Sequence, residues 1–423
     1  MIRIFTALAM SLSISATVFA EPIKVELKGE PGKWQLLRDG KPYFVKGAGG
    51  SGSQKLLAEV GANSGRTWGA DDLGKRLDEA HALGLSITVG IWLGHPRHGF
   101  NYNRPESVAE QYEMAKAAIL KYKDHPAVLM WGIGNEMEGE GDDAAIWSAI
   151  NNIASMAKRL DPNHPTMTVI AELGKNKIQN IHRLCPDIDV IGLNTYGGGP
   201  TIGDRYTKAG GTKPYILTEF GPGGTWEQGR NDFGAPVEKT STQKADAYRD
   251  TYVKTVKAHP GYCLGSYAFT WGNKIEATST WFGMLLPDES RLAATDTLSE
   301  LWTGRPVPNR CPTIQPLSVE TTDRTTPGGT LRIRLTTSDP ERDALTVQWV
   351  LQREVGQYET GGDAIDTPPT FPAAIVNPSL TGVEVRMPDK PGIYRLYVYV
   401  RDNHGGAATA NLPLLCQNPN AKN

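Results

Sequence analysis

Cysteine and net charge are both scarce in this sequence, and each scarcity argues against a class of function. The 423 residues include four cysteines, Cys185, Cys263, Cys311 and Cys416, and none of them has the short spacing of a zinc site. Basic and acidic residues nearly cancel to a formal charge of −2, which gives no attraction for nucleic acid or an anionic membrane surface. We therefore expect no metal, no cofactor and no nucleic-acid partner.

Long apolar runs are missing after the first twenty residues, so no later segment is expected to cross a bilayer. Residues 1–20 contain Arg3, an apolar run over residues 4–19, and the short side chains of Val18 and Ala20 before Glu21. This pattern is typical of a secretory signal peptide cut after Ala20. The alternative is a retained membrane anchor, although the run is short for a span. We expect a secreted or periplasmic protein, either free or associated with the cell surface.

Export would permit disulfide bonds. Cys311 and Cys416 bracket the C-terminal region and are placed to join its first and last strands, whereas Cys185 and Cys263 each precede a predicted strand. For either pair the alternative is two free, buried thiols, and the sequence leaves both alternatives open.

The length suggests two domains, and the pattern changes at their boundary. Residues 23–28 and 34–37 predict a hairpin-like pair of strands, with a tight turn at Asp39-Gly40. Strand-like runs then alternate with amphipathic stretches, which predicts a (β/α)8 TIM barrel within residues 21–305. The eight strand candidates are residues 43–46, 64–68, 86–92, 128–133, 166–171, 190–194, 215–218 and 264–269.

The helices support this count. Ser107 and Glu110 have the spacing of a capping box before an apolar face, and residues 144–160 and 242–258 are amphipathic. Residues 306–313 are rich in proline and predict a linker. Short alternating runs at 331–335, 345–351, 383–385 and 393–400 then predict a C-terminal immunoglobulin-like β-sandwich over residues 314–423.

Two buried strands end in a glutamate. Residues 129–138 (LMWGIGNEME) lead into Asn135-Glu136, and residues 215–221 (YILTEFG) contain Glu219. The two glutamates lie 83 residues apart, which corresponds to three βα units, so they would end the fourth and seventh strands. A single glutamate at a strand end is as often a helix cap or an ion-pair partner. Two on strands of one barrel indicate cleavage of a glycosidic bond.

On these motifs the chain resembles a retaining glycoside hydrolase of the large TIM-barrel clan that contains families 2 and 5. The resemblance covers residues 30–305 and implies that Glu136 is the acid/base, Glu219 the nucleophile and Asn135 the partner of the sugar 2-hydroxyl. It also implies that Arg66 holds the nucleophile and that Tyr196 touches it.

The same resemblance implies that Trp271, in AFTWG, floors the subsite of the cleaved sugar. Asn194 stands where family 5 often has histidine, which weakens membership of that family. His95 follows the third strand and is either a cleft residue or an ordinary loop histidine.

Aromatic residues at strand ends or in the following loops suit a sugar binder, because sugar C–H faces stack on flat rings. We expect two of these five to belong to the core instead: Trp68, Trp92, Trp226, Trp271 and Trp281.

The predicted mechanism is double displacement, with carboxyl groups ~5–5.5 Å apart. Among glycoside hydrolases, the chain looks most like the bacterial endo-β-1,3-glucanases of family 158. We expect a monomer that acts on β-glucan or another β-linked glycan. It also resembles exo-acting family 2 β-galactosidases or β-glucuronidases, and a transglycosylase would use the same residues. A non-catalytic glycan-binding protein is the alternative of a different class. The loops at residues 94–104 and 197–211 are expected to decide between an open groove and a blind pocket.

Overall fold

The computed structural model describes residues 21–358, 361–363 and 365–418. The predicted signal peptide, residues 1–20, lies outside this part of the chain. Within the described residues, no helix combines the length and the apolar character that crossing a membrane requires.

A small antiparallel sheet precedes the barrel and confirms the predicted N-terminal strands. It contains β1 (Val25–Lys28), β2 (Gln35–Arg38) and the short β3 (Lys41–Pro42). Backbone hydrogen bonds tie it to loops that lead into barrel strands, from Val25 to Asn163 and from Trp34 to Gly261. The sheet therefore covers the N-terminal end of the barrel and leaves the opposite end free for a site.

Eight parallel strands then close into a barrel in sequence order, with the last strand paired to the first. The predicted TIM barrel is confirmed, and the largest difference lies in the first strand, which begins two residues later and ends four residues later than expected. The strands are β4 (Val45–Gly50), β5 (Ser64–Arg66), β6 (Ser86–Ile91), β7 (Val128–Asn135), β8 (Thr166–Ala171), β9 (Val190–Asn194), β10 (Tyr215–Glu219) and β11 (Cys263–Trp271).

One helix follows each barrel strand, as parallel pairing requires a crossover. Helix α3 begins at Pro105, two residues before Ser107, so the predicted capping box at Ser107 is wrong; Thr240 and Gln243 form a capping box at α7 instead. The helices are α1 (Gln54–Glu59), α2 (Gly74–Ala82), α3 (Pro105–Tyr122), α4 (Ala144–Leu160), α5 (Lys177–Leu184), α6 (Ile202–Lys208), α7 (Ser241–Thr251) and α8 (Ala293–Thr303).

The barrel strands are buried on both faces, which explains their continuous apolar runs. Every residue of β6 and all but the last of β7 are buried. The outward side chains pack against the helices, as Ile87 does with Leu77 and Ile119 in one apolar core. This packing fixes the strand ends, and so it fixes the residues that follow them.

The C-terminal domain contains two four-stranded sheets around a second apolar core, in the orders β13-β15-β19-β18 and β14-β21-β20-β17. A short β12-β16 pair flanks them. The strands are β12 (Thr313–Ile314), β13 (Ser318–Val319), β14 (Arg324–Thr325), β15 (Thr330–Arg334), β16 (Thr337–Ser338), β17 (Thr346–Arg353), β18 (Ile375–Ser379), β19 (Gly382–Arg386), β20 (Gly392–Arg401) and β21 (Ala407–Cys416). The immunoglobulin-like class of this domain stays a prediction.

All four cysteines are free and buried, so of the two alternatives the structure shows unpaired thiols. Cys311 accordingly does not join Cys416. It lies in the predicted linker, where its backbone N–H donates to Asp296 of α8 at 2.6 Å. The end of this linker is therefore packed against the barrel.

The two domains share a polar interface that includes buried charges. Arg395 of β20 is fully buried, pairs with Glu354 at 2.8 Å, and donates to the carbonyl of Pro236 in the loop after β10. The loop after β11 also takes part, because Ser279 Oγ lies 3.0 Å from Gln352 Oε1. The C-terminal domain thus holds two of the loops that surround the C-terminal end of the barrel.

Candidate active site

Glu136 and Glu219 line one cavity at the C-terminal end of the barrel. Glu219 is the last residue of β10, and Glu136 directly follows β7, so they come from the seventh and fourth barrel strands. The cavity has a volume of about 730 Å³. The predicted meeting of the two carboxyl groups at one barrel mouth is confirmed.

Glu219 is held by three hydrogen-bond donors. Its Oε1 accepts from Arg66 Nη1 at 3.0 Å and from Trp68 Nε1 at 2.7 Å, and its Oε2 accepts from the Tyr196 hydroxyl at 2.8 Å. Arg66 and Glu219 are both buried, so this ion pair is poorly screened by solvent. The three donors fix the orientation of the carboxylate, as the roles assigned to Arg66 and Tyr196 require.

Glu136 has a different environment. One donor, Asn194 Nδ2, lies 2.6 Å from its Oε1, and the residue adopts a left-handed backbone conformation with φ of 54°. Burial, followed by the nearby charge of Glu219, raises the pKa of Glu136 to about 7. A carboxyl group with this pKa can hold a proton near neutral pH and can act as a general acid.

Asn135 and Asn194 join the two glutamates into one network. Asn135 Oδ1 accepts from Arg66 Nη2 at 2.6 Å and from Asn194 Nδ2 at 3.2 Å. The hydroxyl of Thr218 donates to Asn194 Oδ1 at 2.7 Å, which fixes the orientation of that amide. The asparagine that departs from the family 5 pattern therefore supports the predicted acid/base directly.

Three of the five predicted tryptophans, Trp68, Trp92 and Trp226, line the cavity. Trp92 and Trp226 are 46% and 54% exposed. Trp271 and Trp281 are buried, and each indole N–H donates to a backbone carbonyl, of Ser53 and Gly223 respectively. The prediction that two would belong to the core is confirmed, but the prediction that Trp271 floors the subsite is wrong.

Phe269 takes the place predicted for Trp271. It lines the cavity and packs edge-on against Trp68 and Tyr196, with ring centroids 5.9 Å and 6.0 Å apart. The pairing register between β11 and β4 shifts between Phe269 and Trp271, which breaks the alternation that would place both side chains on one face.

Part of the barrel matches a known family model. The model described as "Glycosyl hydrolases family 2, TIM barrel domain" matches residues 75–256. This part of the barrel therefore resembles a glycoside hydrolase domain.

Curated proteins similar to this chain include β-glucuronidases. The β-glucuronidase of Homo sapiens is 26% identical over 183 residues, which cover 39% of this chain and 26% of the human protein. The β-glucuronidase of Streptococcus agalactiae is 26% identical over 236 residues, covering 44% of this chain and 38% of that protein. The chain therefore matches well under two thirds of the length of these relatives.

Solved structures agree with the fold. The β-D-glucuronidase of Dictyoglomus thermophilum superposes with a TM-score of 0.53 at 19% identity, over 67% of this chain and 54% of that chain. A Bacteroides uniformis β-glucuronidase aligns over 93% of this chain and 48% of its own, with a TM-score of 0.51 at 14% identity. These likenesses support the barrel fold.

His95 lies behind the wall of the cavity, while its neighbours Trp92 and Arg97 line it. The His95 ring is buried and stacks on Trp92 with ring centroids 4.9 Å apart. Burial, helped by the charges of Arg97 and His98, lowers its pKa to about 4, so it is neutral at neutral pH. His95 therefore supports the Trp92 ring from behind.

Sequence reasoning missed the charged residues of the cavity rim. Lys274, three residues after the end of β11, pairs with Glu276 at 2.6 Å, and Arg97 lies in the loop after β6. Gly361, Gly362 and Asp363 of the C-terminal domain also line the cavity. The NK pair after AFTWG was the available signal for Lys274; no local pattern marks Asp363. Among the described residues, no group of His, Cys, Asp and Glu is arranged to bind a metal ion.

Proposed function

We propose that the chain is a retaining, exo-acting β-glycosidase that removes a terminal β-D-glucuronosyl residue. The observation that carries this proposal is the pair of glutamates in one cavity, one held by three donors and the other with its pKa raised to about 7. Two carboxyl groups with different environments suit the two roles of a double displacement.

In the first step, a carboxylate oxygen of Glu219 forms a bond to the anomeric carbon. The bond from that carbon to the leaving oxygen breaks, and Glu136 gives its proton to this oxygen. Arg66, Trp68 and Tyr196 keep the attacking carboxylate in one orientation, which supplies the positional part of catalysis.

In the second step, Glu136 takes a proton from water, the water oxygen bonds to the anomeric carbon, and Glu219 leaves. Glu219 carries no charge while it is esterified, so one of the causes that raise the pKa of Glu136 is removed. The same carboxyl group can therefore act as acid first and as base second. The predicted carboxyl separation of ~5–5.5 Å belongs to this mechanism.

The choice of glucuronide is supported by two of the curated matches and by a cation in the cavity. Lys274 Nζ lies 5.3 Å from the centroid of Phe269, which packs against Tyr196 beside the nucleophile. A sugar carboxylate here would share Lys274 with Glu276. These matches support the exo-acting alternative of the sequence prediction and give no support to the endo-β-1,3-glucanase.

For the rest of the molecule, we propose that the C-terminal domain is an immunoglobulin-like sandwich that braces the barrel and that the protein is an exported monomer. The shared polar interface supports the bracing role. Cell fractionation and sedimentation would test the location and the monomer.

The test is a panel of 4-nitrophenyl β-glycosides of glucuronic acid, galactose, glucose and mannose, together with laminarin. We expect the glucuronide to be cleaved with a kcat/KM at least about 100-fold above the others. Cleavage of laminarin alone would favour the endo-β-1,3-glucanase, and products longer than the substrate would favour a transglycosylase. Glycan affinity without turnover would favour the binding protein.

Variants separate the two roles. Glu219→Ala should abolish turnover of every substrate, whereas Glu136→Ala should retain turnover of a 2,4-dinitrophenyl glycoside, whose leaving group needs no proton. Glu113→Gln on the exposed face of α3 is the matched control and should behave as wild type. Full activity of both cavity variants would contradict the assignment.

A further inference from the structure

A three-residue tip of the C-terminal domain, Gly361-Gly362-Asp363, forms part of the wall of the catalytic cavity. The Asp363 carboxylate accepts two hydrogen bonds from Arg97, at 3.0 Å and 3.1 Å, and lies 3.2 Å from His98 Nε2. Arg97 and His98 belong to the loop after β6. The tip therefore connects one domain to the active-site loop of the other.

Backbone carbonyls of the tip hold two barrel cations. Gly361 O accepts from Arg97 Nη2 at 2.9 Å, and Gly362 O accepts from Lys274 Nζ at 3.1 Å. Both glycines have left-handed backbone conformations, with φ of 57° and 87°, which L side chains adopt rarely. A Cβ on Gly361 would also lie only 2.9 Å from Arg97. The glycine pair thus permits the close approach.

The chain leading to the tip is anchored. Glu354 forms the buried ion pair with Arg395, and Tyr358 O accepts from the Thr225 hydroxyl at 2.8 Å in the loop after β10. The segment runs from the loop after the seventh barrel strand to the loops after the third and eighth strands. The described residues Tyr358 and Gly361–Asp363 therefore contact three loops at the mouth of the cavity.

The position of the tip relative to the two glutamates indicates which end of the sugar it meets. The leaving group must lie beside Glu136, because this residue protonates the glycosidic oxygen. Glu136 follows the fourth barrel strand, and Lys274 follows the eighth, which is the farthest from it in a ring of eight. The part of the wall formed by Lys274 and the Gly362 carbonyl therefore faces the non-reducing end of the bound sugar, whereas Asp363 fastens the tip to the loop after the third strand.

We propose that this tip limits the cavity to one terminal sugar and so determines the exo action of the enzyme. This inference rests on the proposed function and adds the residue that sets substrate length. Asp363 acts through Arg97 and His98 as a specificity-determining residue, whereas the chemistry stays with Glu136 and Glu219.

The test uses two probes that differ by one sugar. One is the 4-nitrophenyl β-glycoside of the sugar that the wild type prefers, and the other carries a further β-glucosyl unit on its 4-hydroxyl. We expect the wild type to cleave the extended probe with a kcat/KM at least about 100-fold lower. Asp363→Ala should reduce the ratio of kcat/KM between the short and the extended probe by about tenfold, because the tip is released from Arg97.

Two further variants make the result specific. The double variant Arg97→Ala/Asp363→Ala should reduce the ratio of kcat/KM between the two probes at least as much as Asp363→Ala does. Glu384→Ala removes another exposed ion pair of the same domain, with Arg332, and should leave the ratio between the probes unchanged. The ratio is the readout because a general loss of stability would lower both activities alike.

The possible failures are distinct. If the wild type cleaves no aryl glycoside, the proposed function fails. If it cleaves both probes equally well, or if Asp363→Ala and the double variant keep the wild-type ratio, the proposed function stands and the role of the tip is overturned.

Discussion

Glu136 differs from Glu219 chiefly in the number of donors around its carboxyl group. Among the described residues, Asn194 alone donates a hydrogen bond to the Glu136 carboxyl group, while Glu219 accepts from Arg66, Trp68 and Tyr196. Burial without matching donors favours the neutral form of a carboxyl group, and donors favour the charged form. The difference in roles therefore follows from the neighbours.

This difference predicts a pH dependence. Because Glu136 must be protonated for the first step and its pKa is raised to about 7, kcat/KM should fall about tenfold per pH unit well above pH 7. A pH profile with an unactivated alkyl glycoside measures this decline. A 2,4-dinitrophenyl glycoside should show a much smaller decline, and equal profiles for both substrates would contradict the assignment of Glu136.

The same group should affect stability. Its folded pKa, about 7, exceeds the unfolded value near 4.5, so the folded state binds the proton more tightly. The favourable contribution is complete below pH 4.5 and is lost as the pH rises through 7. At pH 8, Glu136→Gln should therefore raise the free energy of unfolding by on the order of 1–3 kcal/mol. Urea denaturation at pH 4.5 and pH 8 tests this, because the gain should vanish at the lower pH.

Single residues also show what the sequence could and could not reveal. The two glutamates were predictable, because each stands at the end of a continuous apolar run that is typical of a strand buried on both faces. The floor of the subsite was not, because a register shift within β11 turns Trp271 away and leaves Phe269 in the cavity. Such a shift depends on pairing with β4, which no local pattern encodes.

At the scale of elements, all eight barrel strands were predictable from their apolar runs, because strands buried on both faces are apolar throughout. The first residues of the helices were not predictable in the same way. Ser107 and Glu110 have the spacing of a capping box, yet α3 begins at Pro105. Proline suits the first helical position, because it lacks the N–H that would be unpaired there. The competing start signal explains the error.

This observation gives a matched pair of variants. Thr240→Ala removes the capping box of α7 and should lower the free energy of unfolding by about 0.5–2 kcal/mol. Ser107→Ala, inside the first turn of α3, should change it by less than about 0.5 kcal/mol. Chemical denaturation of both variants measures the difference, and equal losses would show that the assigned starts are wrong.

At the scale of the whole molecule, we expect the buried ion pair of the domain interface to contribute to the free energy of unfolding. Arg395→Met should leave Glu354 buried without its cation and lower the free energy of unfolding by roughly 3–5 kcal/mol. Arg332→Met breaks the exposed pair with Glu384 and should cost about 1 kcal/mol or less. Calorimetry of the full chain measures both, and similar losses would contradict a role for burial.

The two-domain arrangement was predictable from the change in pattern near residue 306, but the contribution of the second domain to the cavity was not. Asp363 and Arg97 lie far apart in sequence and meet through tertiary structure alone. The sequence could therefore divide the chain into domains without indicating that one completes the site of the other.

The four buried cysteine thiols can serve as probes of local unfolding. Cys185 and Cys263 sit in the barrel, Cys311 beside α8, and Cys416 at the end of β21. A soluble alkylating reagent reaches each sulfur only after its surroundings separate. The order in which the four become labelled would trace which part of the protein loosens first, without adding any foreign probe.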